Sequence, residues 1–404
     1  PMLFRHPIRP SKHMALVLAP EHVHRVLDQT DEPFAAASYE KRGALSHFQP
    51  GFSLLSHGKL RDERVRWNDE VLDHKSAGPR LAGSFLKVVD EEADGLLQEV
   101  NRHGELDWEL FDDAWSRMIR RVILGDDAAH DEELSEMLIL LRRRGNWSFL
   151  SPVNRPLRER YLARLREHLD RAERGSLAQV VASTPITENV QPEQQVPQWF
   201  FGADPAGMAT FRGLALLAAH PEQAERARAE MRSDDMRERQ RLPFLRACIL
   251  ESLRLFPTTP LVLRESTRPT DWETGTMPAN TSILAYAQFF HRDDTHLSYA
   301  HQFNPDIWLD DRPEAEIMDL AADDWPMIPF SKGPGICSGR QVVLLLASNM
   351  LGRLVRDHAP RLQYPERLEP PHELPGTLNH FSLAFDMTPL HTPRGIAPDP
   401  GQSP

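Results

Sequence analysis

Between Arg61 and Asp170 apolar side chains recur at three- and four-residue intervals, the period of helices with one buried face. ADGLLQEVNRHG and LFDDAWSRMIRRVILG each close on glycine, and RPLRERYLARLREHLDRAERG has proline near its start and glycine at its end. Those residues are helix start and stop signals. The longest apolar helical pattern is WFFGADPAGMATFRGLALLAAHPEQAERARAEM. RLPFLRACILESLRLFP predicts another helix, and SGRQVVLLLASNMLGRLVRDH a buried one. Residues 13–60 mix short apolar runs with turn residues and predict short strands and short helices. LVLRESTRP, DWETGTMP and TSILAYAQ read as strands broken by turns. STPITENVQPEQQVPQ (183–198) resembles a linker, though its end suits a helix start equally. A long irregular stretch covers 299–336, which inside a compact domain is unusual unless it is functional. Strands and helices are grouped rather than alternating, and no repeat is present. The fold class is therefore mainly α (α+β), a helical bundle with a small β region, in a single domain over 1–404.

Composition narrows the function. Of 404 residues, 40% are hydrophobic, enough for a sizeable core. A net charge of −12 argues against nucleic-acid partners. No apolar run approaches the ~18 residues of a membrane span, and the N-terminal segment lacks the apolar core of a secretory signal. The expectation is a protein with no membrane anchor. Two cysteines exclude a disulfide framework and point to a reducing, cytoplasmic setting.

One of those cysteines, Cys337, stands in PFSKGPGICSGR among Gly333, Gly335 and Gly339. Glycines let the backbone turn tightly and let a ligand approach closely. The helix predicted to begin near Ser338 favours a thiolate through its dipole and free N–H groups. A free cysteine alone is more often a small buried hydrophobe. The window as a whole reads F-x-x-G-x-x-x-C-x-G through Phe330, Gly333, Cys337 and Gly339, which resembles the haem-binding signature of the cytochrome P450 family. The resemblance implies haem b, with Cys337 as the thiolate ligand of its iron.

Other landmarks lie upstream in the family's order. Glu251 and Arg254 in ILESLRLFP match its E-x-x-R, with both side chains on one helical face. The resemblance gives this pair a structural role, tying its helix to the meander before the haem loop. Arg264 in PLVLRES resembles the strand arginine that binds a haem propionate, a task suited to its planar fork. FNPDIWLD resembles the F-x-P-x-R-[FW] element with Phe303, Pro305 and Trp308. Ile307 stands where the family has arginine, so the third member of the ion network is missing or supplied by another residue such as Arg312. HGKLRDERVRWNDEVL resembles the helix that carries further propionate ligands, with Arg61 and Arg66 in those positions. The basic residue common two positions before the cysteine is here Gly335.

The family's distal helix carries [AG]-G-x-[DE]-[TS], whose acid and alcohol deliver protons. Counting back from His220 in HPE places Gly202 at the glycine, Asp204 at the acid and Pro205 at the alcohol. A second phase, with Thr210 as the alcohol, breaks that spacing. Pro205 has no N–H and no side-chain donor, so the helix is expected to kink or open there. Asp204 then becomes a partly buried carboxyl suited to proton transfer, or else pairs with an arginine and stabilises the kink. The resemblance implies a monooxygenase acting on a small apolar, aromatic or natural-product-like molecule. Electrons would come from a ferredoxin or flavodoxin. Hydrogen peroxide as oxidant, and non-oxygenating or no catalysis, are the alternatives. By family position the substrate side comprises Phe48, Phe200, Phe201, Ala203, Thr259, Leu261, Val262, His380 and Phe381. Apolar residues dominate, as in pockets for apolar ligands.

Overall fold

The computed structural model describes residues 1–7, 9, 12–309, 325–363 and 368–390. Among them, the helices are α1 Pro20–Asp28, α2 Tyr39–Leu45, α3 Gly58–Val71, α4 Ala82–His103, α5 Trp108–Leu124, α6 Glu132–Asn146 and α7 Arg155–Arg171. Then follow α8 Leu177–Ser183, α9 Pro192–Ala219, α10 Pro221–Glu230, α11 Met236–Arg239, α12 Pro243–Leu255, α13 Ala287–His291 and α14 Arg340–Arg356. The strands are β1 Met2–Arg5, β2 His13–Val17, β3 Phe34–Ala35, β4 Leu106–Asp107, β5 Leu261–Ser266, β6 Thr270–Trp272, β7 Gly275–Met277, β8 Ser282–Tyr286, β9 His358–Leu362 and β10 Ala384–Pro389.

One sheet runs β1-β2-β8-β5-β3, a second β4-β10-β9, and β6 and β7 form a hairpin. Only the β2–β8 pair is parallel, because the chain between them crosses most of the helices. The helices form the bulk, as the apolar periodicity predicts. Their buried faces join one apolar cluster from Leu45 to Met387, and a smaller cluster fills the space under the five-stranded sheet.

α9 crosses the middle of that core, against α5, α7, α12 and α14. It begins at Pro192, inside the stretch whose end suited either a linker or a helix start. Proline is tolerated there because the first N–H groups of a helix have no partner inside it. Pro197 and Pro205 both lie within α9, which continues through them. Pro205 removes the N–H that the Phe201 carbonyl would accept. At the same turn the Trp115 indole Nε1 donates to the Ala203 carbonyl at 3.0 Å. A Cβ on Gly207 would lie 2.9 Å from that Nε1, so glycine admits the indole. Side-chain insertion into the turn therefore accompanies the proline, without ending the helix.

Candidate active site

Cys337 sits at the end of a tight loop ahead of α14. Its N–H donates to the Phe330 carbonyl at 3.0 Å, and the Ile336 N–H to the Gly333 carbonyl at 3.0 Å. Gly333 has φ +61°, and a Cβ there would come within 2.8 Å of the Leu27 carbonyl. Only glycine fits both conditions. The Cys337 side chain has open surface, yet burial pushes its thiol up. The N–H groups of Gly339 and Arg340 and the Arg340 charge pull the other way, towards thiolate.

Two guanidinium groups converge on the same loop. Arg61 of α3 is 4% exposed and donates to the Pro334 carbonyl at 2.6 Å. Arg264 of β5 is 3% exposed and reaches Thr30 Oγ1 at 2.9 Å and Ser331 Oγ at 3.4 Å. Burial, with the Arg61 charge added, pushes Arg264 down to about 10. The ammonium of Lys41 is buried beside them, donating to the Ala36 and Leu263 carbonyls. Burial and the Arg264 charge push it down as well. Buried cations are costly unless paired with anions. Among the described residues the one carboxylate near Arg61 is the exposed Asp62, at 4.0 Å, and Arg61 Nε has no partner. A haem, with two carboxylates and an iron that takes a thiolate, fits this donor set. Gly339 fits it too, since a Cβ there would meet nothing nearer than Leu72 at 3.8 Å and the glycine leaves that face open.

The same geometry explains Gly335. A Cβ there would lie 2.4 Å from Arg264 Nη2, so the strand arginine fills the place of the missing loop cation. Arg66 lies on the same helix as Arg61. It is exposed, because five residues beyond Arg61 is about 140° around the helix. The buried arginine of α3 is Arg61.

Glu251 and Arg254 of α12 are both fully buried. Arg254 donates Nε and Nη2 to the carboxylate at 2.7 Å each. Its remaining donors take the carbonyls of His291, Ala300, Tyr299 and Gln302. Glu251 also accepts from the Asn304 N–H at 2.8 Å and from Trp308 Nε1 at 2.9 Å. Trp308 thus fills the carboxylate beside Ile307. Arg312 lies outside the described residues.

In the middle of α9, Phe201, Gly202, Asp204, Pro205 and Met208 keep some open surface, while Phe200, Ala203, Ala206, Gly207, Ala209 and Thr210 are buried. Asp204 pairs with Arg142 of α6, whose guanidinium lies 4.7 Å over the Phe201 ring. Burial pushes the Asp204 carboxyl up, and Arg142 pulls it back. The pairing with an arginine is therefore present, alongside the raised carboxyl. Thr210 is fully buried and donates to the Ala206 carbonyl, so its hydroxyl is held by its own helix.

Of the substrate-side residues, Phe48 and Phe201 meet, with ring centroids 6.0 Å apart. Phe200 and Ala203 are buried in the main core, Thr259 and Leu261 are exposed, and Val262 packs on the smaller cluster. His380 and Phe381 lie in a short turn ahead of β10, His380 buried and Phe381 exposed. Both rings pack on Trp108 of α5, at 4.4 and 6.0 Å, and His380 Nδ1 lies 3.4 Å from Arg212. Arg212 is eight residues past Asp204, about 12 Å along α9. Arg142, Trp115 and Lys41 were not singled out by sequence. Each acts through a contact with a distant element, and no local spacing marks it.

Comparison with known proteins agrees with this architecture. The family model described as Cytochrome P450 matches residues 194–381. "Cytochrome P450 71D178" of Origanum vulgare is 32% identical over 145 residues, 34% of this chain and 28% of that protein. "Beta-amyrin 24-hydroxylase" of Glycine max is 30% identical over 151 residues, 35% of this chain and 29% of that protein. The matched stretch spans less than a third of the length of these curated relatives. The fold is similar over nearly the whole chain to the retinoic acid-bound cyanobacterial CYP120A1, with TM-score 0.75, 18% identity, and coverage of 95% and 90%. A zebra fish cytochrome P450 with progesterone gives TM-score 0.72, 16% identity, and coverage of 96% of each chain. No helix among the described residues is long and apolar enough to cross a membrane. The matched stretch holds the Glu251–Arg254 pair, Arg264 and the Cys337 loop, and there the chain is similar to the cytochrome P450 family, on a fold shared with solved cytochrome P450 structures.

Proposed function

We propose that this protein is a haem-thiolate monooxygenase that inserts oxygen into a small apolar or aromatic molecule. The observation that carries the reading is the Cys337 loop, with its sulfur served by two backbone N–H groups and two buried guanidinium groups closing on the loop. Cys337 would bind the iron, and Arg264 and Arg61 the two haem carboxylates. When bound, the haem supplies a redox-active iron at which dioxygen is activated. The chain's own residues then do four things. Gly339 and Arg340 hold negative charge on the Cys337 sulfur. Phe201, which keeps open surface, binds apolar substrate surface, and the buried Phe48 packs behind its ring and excludes water. Arg142 orients the Asp204 carboxylate through its ion pair. Asp204 takes and releases a proton at its carboxyl oxygens, beside a turn where Pro205 offers no N–H. Retinoic acid and progesterone, named with the similar structures, are small organic molecules with an apolar body, in line with that substrate class. We place the enzyme in the cytoplasm, with a small ferredoxin or flavodoxin as electron donor.

Asp204 beside Pro205 also favours a second reading, in which the protein's own carboxylate supports use of hydrogen peroxide. One experiment separates the readings. Product formation is measured with reductant plus ferredoxin and reductase under oxygen, and separately with peroxide alone. The monooxygenase reading expects turnover in the first and little in the second. Turnover with peroxide alone supports the second reading. No product in either, from any substrate that shifts the haem spectrum, overturns both.

A further inference from the structure

The end of α6, the start of α7 and the loop between them differ in charge from the rest of the chain. From Ile139 to Arg158 there are five arginines and no aspartate or glutamate, against a net charge of −12 overall. Arg142 pairs with Asp204. Arg143, Arg144, Arg155 and Arg158 have no carboxylate within 4.0 Å. The acids that flank the stretch, Glu136 and Glu159, are exposed. Leu140, Trp147, Phe149 and Leu150 stand exposed in the same stretch, a concentration of apolar surface that marks an interaction site. Between the two helices lies a groove of about 440 Å³ with a mainly apolar lining. Leu140 and Leu157 line it from α6 and α7, and Trp147 from the loop. Arg143 and Arg144 line it as well. Arg144 is braced, with Nη2 donating to the Pro152 carbonyl at 2.9 Å, while its Nε is buried without a partner. Arg158 donates to the Ser46 carbonyl at 2.8 Å. The buried His47 feels Arg144 and Arg158, and burial first, then their charges, push it down, so it supplies no counter-charge. The groove shares no lining residue with the Cys337 loop or the Asp204 turn.

Guanidinium groups gathered without a counter-ion repel one another, and a bound anion relieves the repulsion. Their planar forks suit a carboxylate, and an apolar groove with a few polar groups suits a ligand that is apolar over most of its length. We propose that this groove is a second ligand site, apart from the haem pocket, for an amphipathic carboxylate. Its anionic head pairs with Arg143 and Arg144, and its apolar body lies on Leu140, Trp147 and Leu157. An amphiphile with a cationic head is rejected by the same arginines. Arg143 directly follows Arg142, so the head group is held on the turn of α6 that also supplies the partner of Asp204.

Sodium decanoate, kept below its micelle concentration, is titrated into haem-loaded enzyme labelled with fluorotryptophan, and the fluorine resonance of Trp147 is followed. Trp147→Phe identifies that resonance. The expected result is a saturable shift with decanoate, binding about tenfold weaker with decanol, and no shift with decyltrimethylammonium. Arg143→Gln/Arg144→Gln should weaken decanoate binding about tenfold. Arg143→Gln alone serves if the double variant unfolds, because Arg143 makes no hydrogen bond or ion pair among the described residues. It should weaken binding about threefold. A Trp147 resonance that decanoate leaves unmoved, equal binding of decanol or the ammonium, or an affinity unchanged in the variants overturns the proposal. So does a resonance that moves only with phosphatidylglycerol vesicles, which would make the patch a membrane-facing surface. A Soret shift that rises with the Trp147 shift and disappears in the same variants also overturns it, because the groove would then be part of the haem pocket.

Discussion

Replacing Glu251 by alanine should come close to unfolding the protein. The carboxylate accepts four hydrogen bonds, two from Arg254 at 2.7 Å, one from Asn304 at 2.8 Å and one from Trp308 at 2.9 Å. Removing it strands the Arg254 charge at a site with no exposure. Breaking a buried pair in this way costs about 3–5 kcal/mol. The stranded N–H groups of Asn304 and Trp308 each cost about 1 kcal/mol or more, and such losses overlap. A loss of about 5 kcal/mol is expected, against a total stability of about 5–15 kcal/mol. The paired variant Glu251→Leu/Arg254→Met removes both charges. It should lose less than the sum of its single changes by about 2–3 kcal/mol. It will still fall below wild type, because four carbonyls lose the guanidinium. The assay is urea unfolding of the haem-loaded protein, followed by far-ultraviolet circular dichroism at fixed haem concentration. A loss under about 1 kcal/mol in Glu251→Ala, or strict additivity in the pair, would refute the reasoning.

Gly335→Ala puts a Cβ 2.4 Å from Arg264 Nη2, and the guanidinium must swing aside. Haem should dissociate about tenfold faster, as expected for a weakened charge-assisted contact, with folding stability nearly unchanged. Transfer to a haem acceptor measures it, and an unchanged rate would count against Arg264 as a haem ligand. Gly333→Ala meets a backbone carbonyl at 2.8 Å and a left-handed φ, so about 1–3 kcal/mol of folding stability should go, measured by the same urea assay. His291 accepts from the Ile328 N–H at 2.9 Å, and burial, then the Arg254 charge, pushes it down to about 3. Above pH ~6.5 it is neutral in both folded and unfolded chains. Below that the unfolded chain takes a proton that the folded one refuses, so stability falls with pH until about 3. His291→Gln should flatten that slope, and an equal slope in both proteins would contradict the assignment.

The parts legible in the sequence are those that act over a few residues. The Cys337 loop and the Glu251–Arg254 pair are set by local spacing, and the helices around them by their apolar period. Arg61 and Arg66 share one helix, and only packing decides which of them faces the loop. Arg142 and Trp115 come from helices far from Asp204 in sequence, so nothing near Asp204 announces them. His380 and Phe381 were placed by family position near the end of the chain. There the Trp108 ring packs on both and Arg212 reaches His380, contacts that no local spacing announces. Gly335 is informative only with Arg264 in view, since the loop's missing cation arrives from a strand.

The central claim is that Cys337 is the ligand of a haem iron. The reduced, carbon monoxide-bound protein should show the strongly red-shifted Soret band of a thiolate-ligated haem. Cys337→Ala should lose that band while keeping the helical circular dichroism of the wild type. A wild-type spectrum of the imidazole type, no haem binding at all, or an unchanged band in Cys337→Ala would contradict the account.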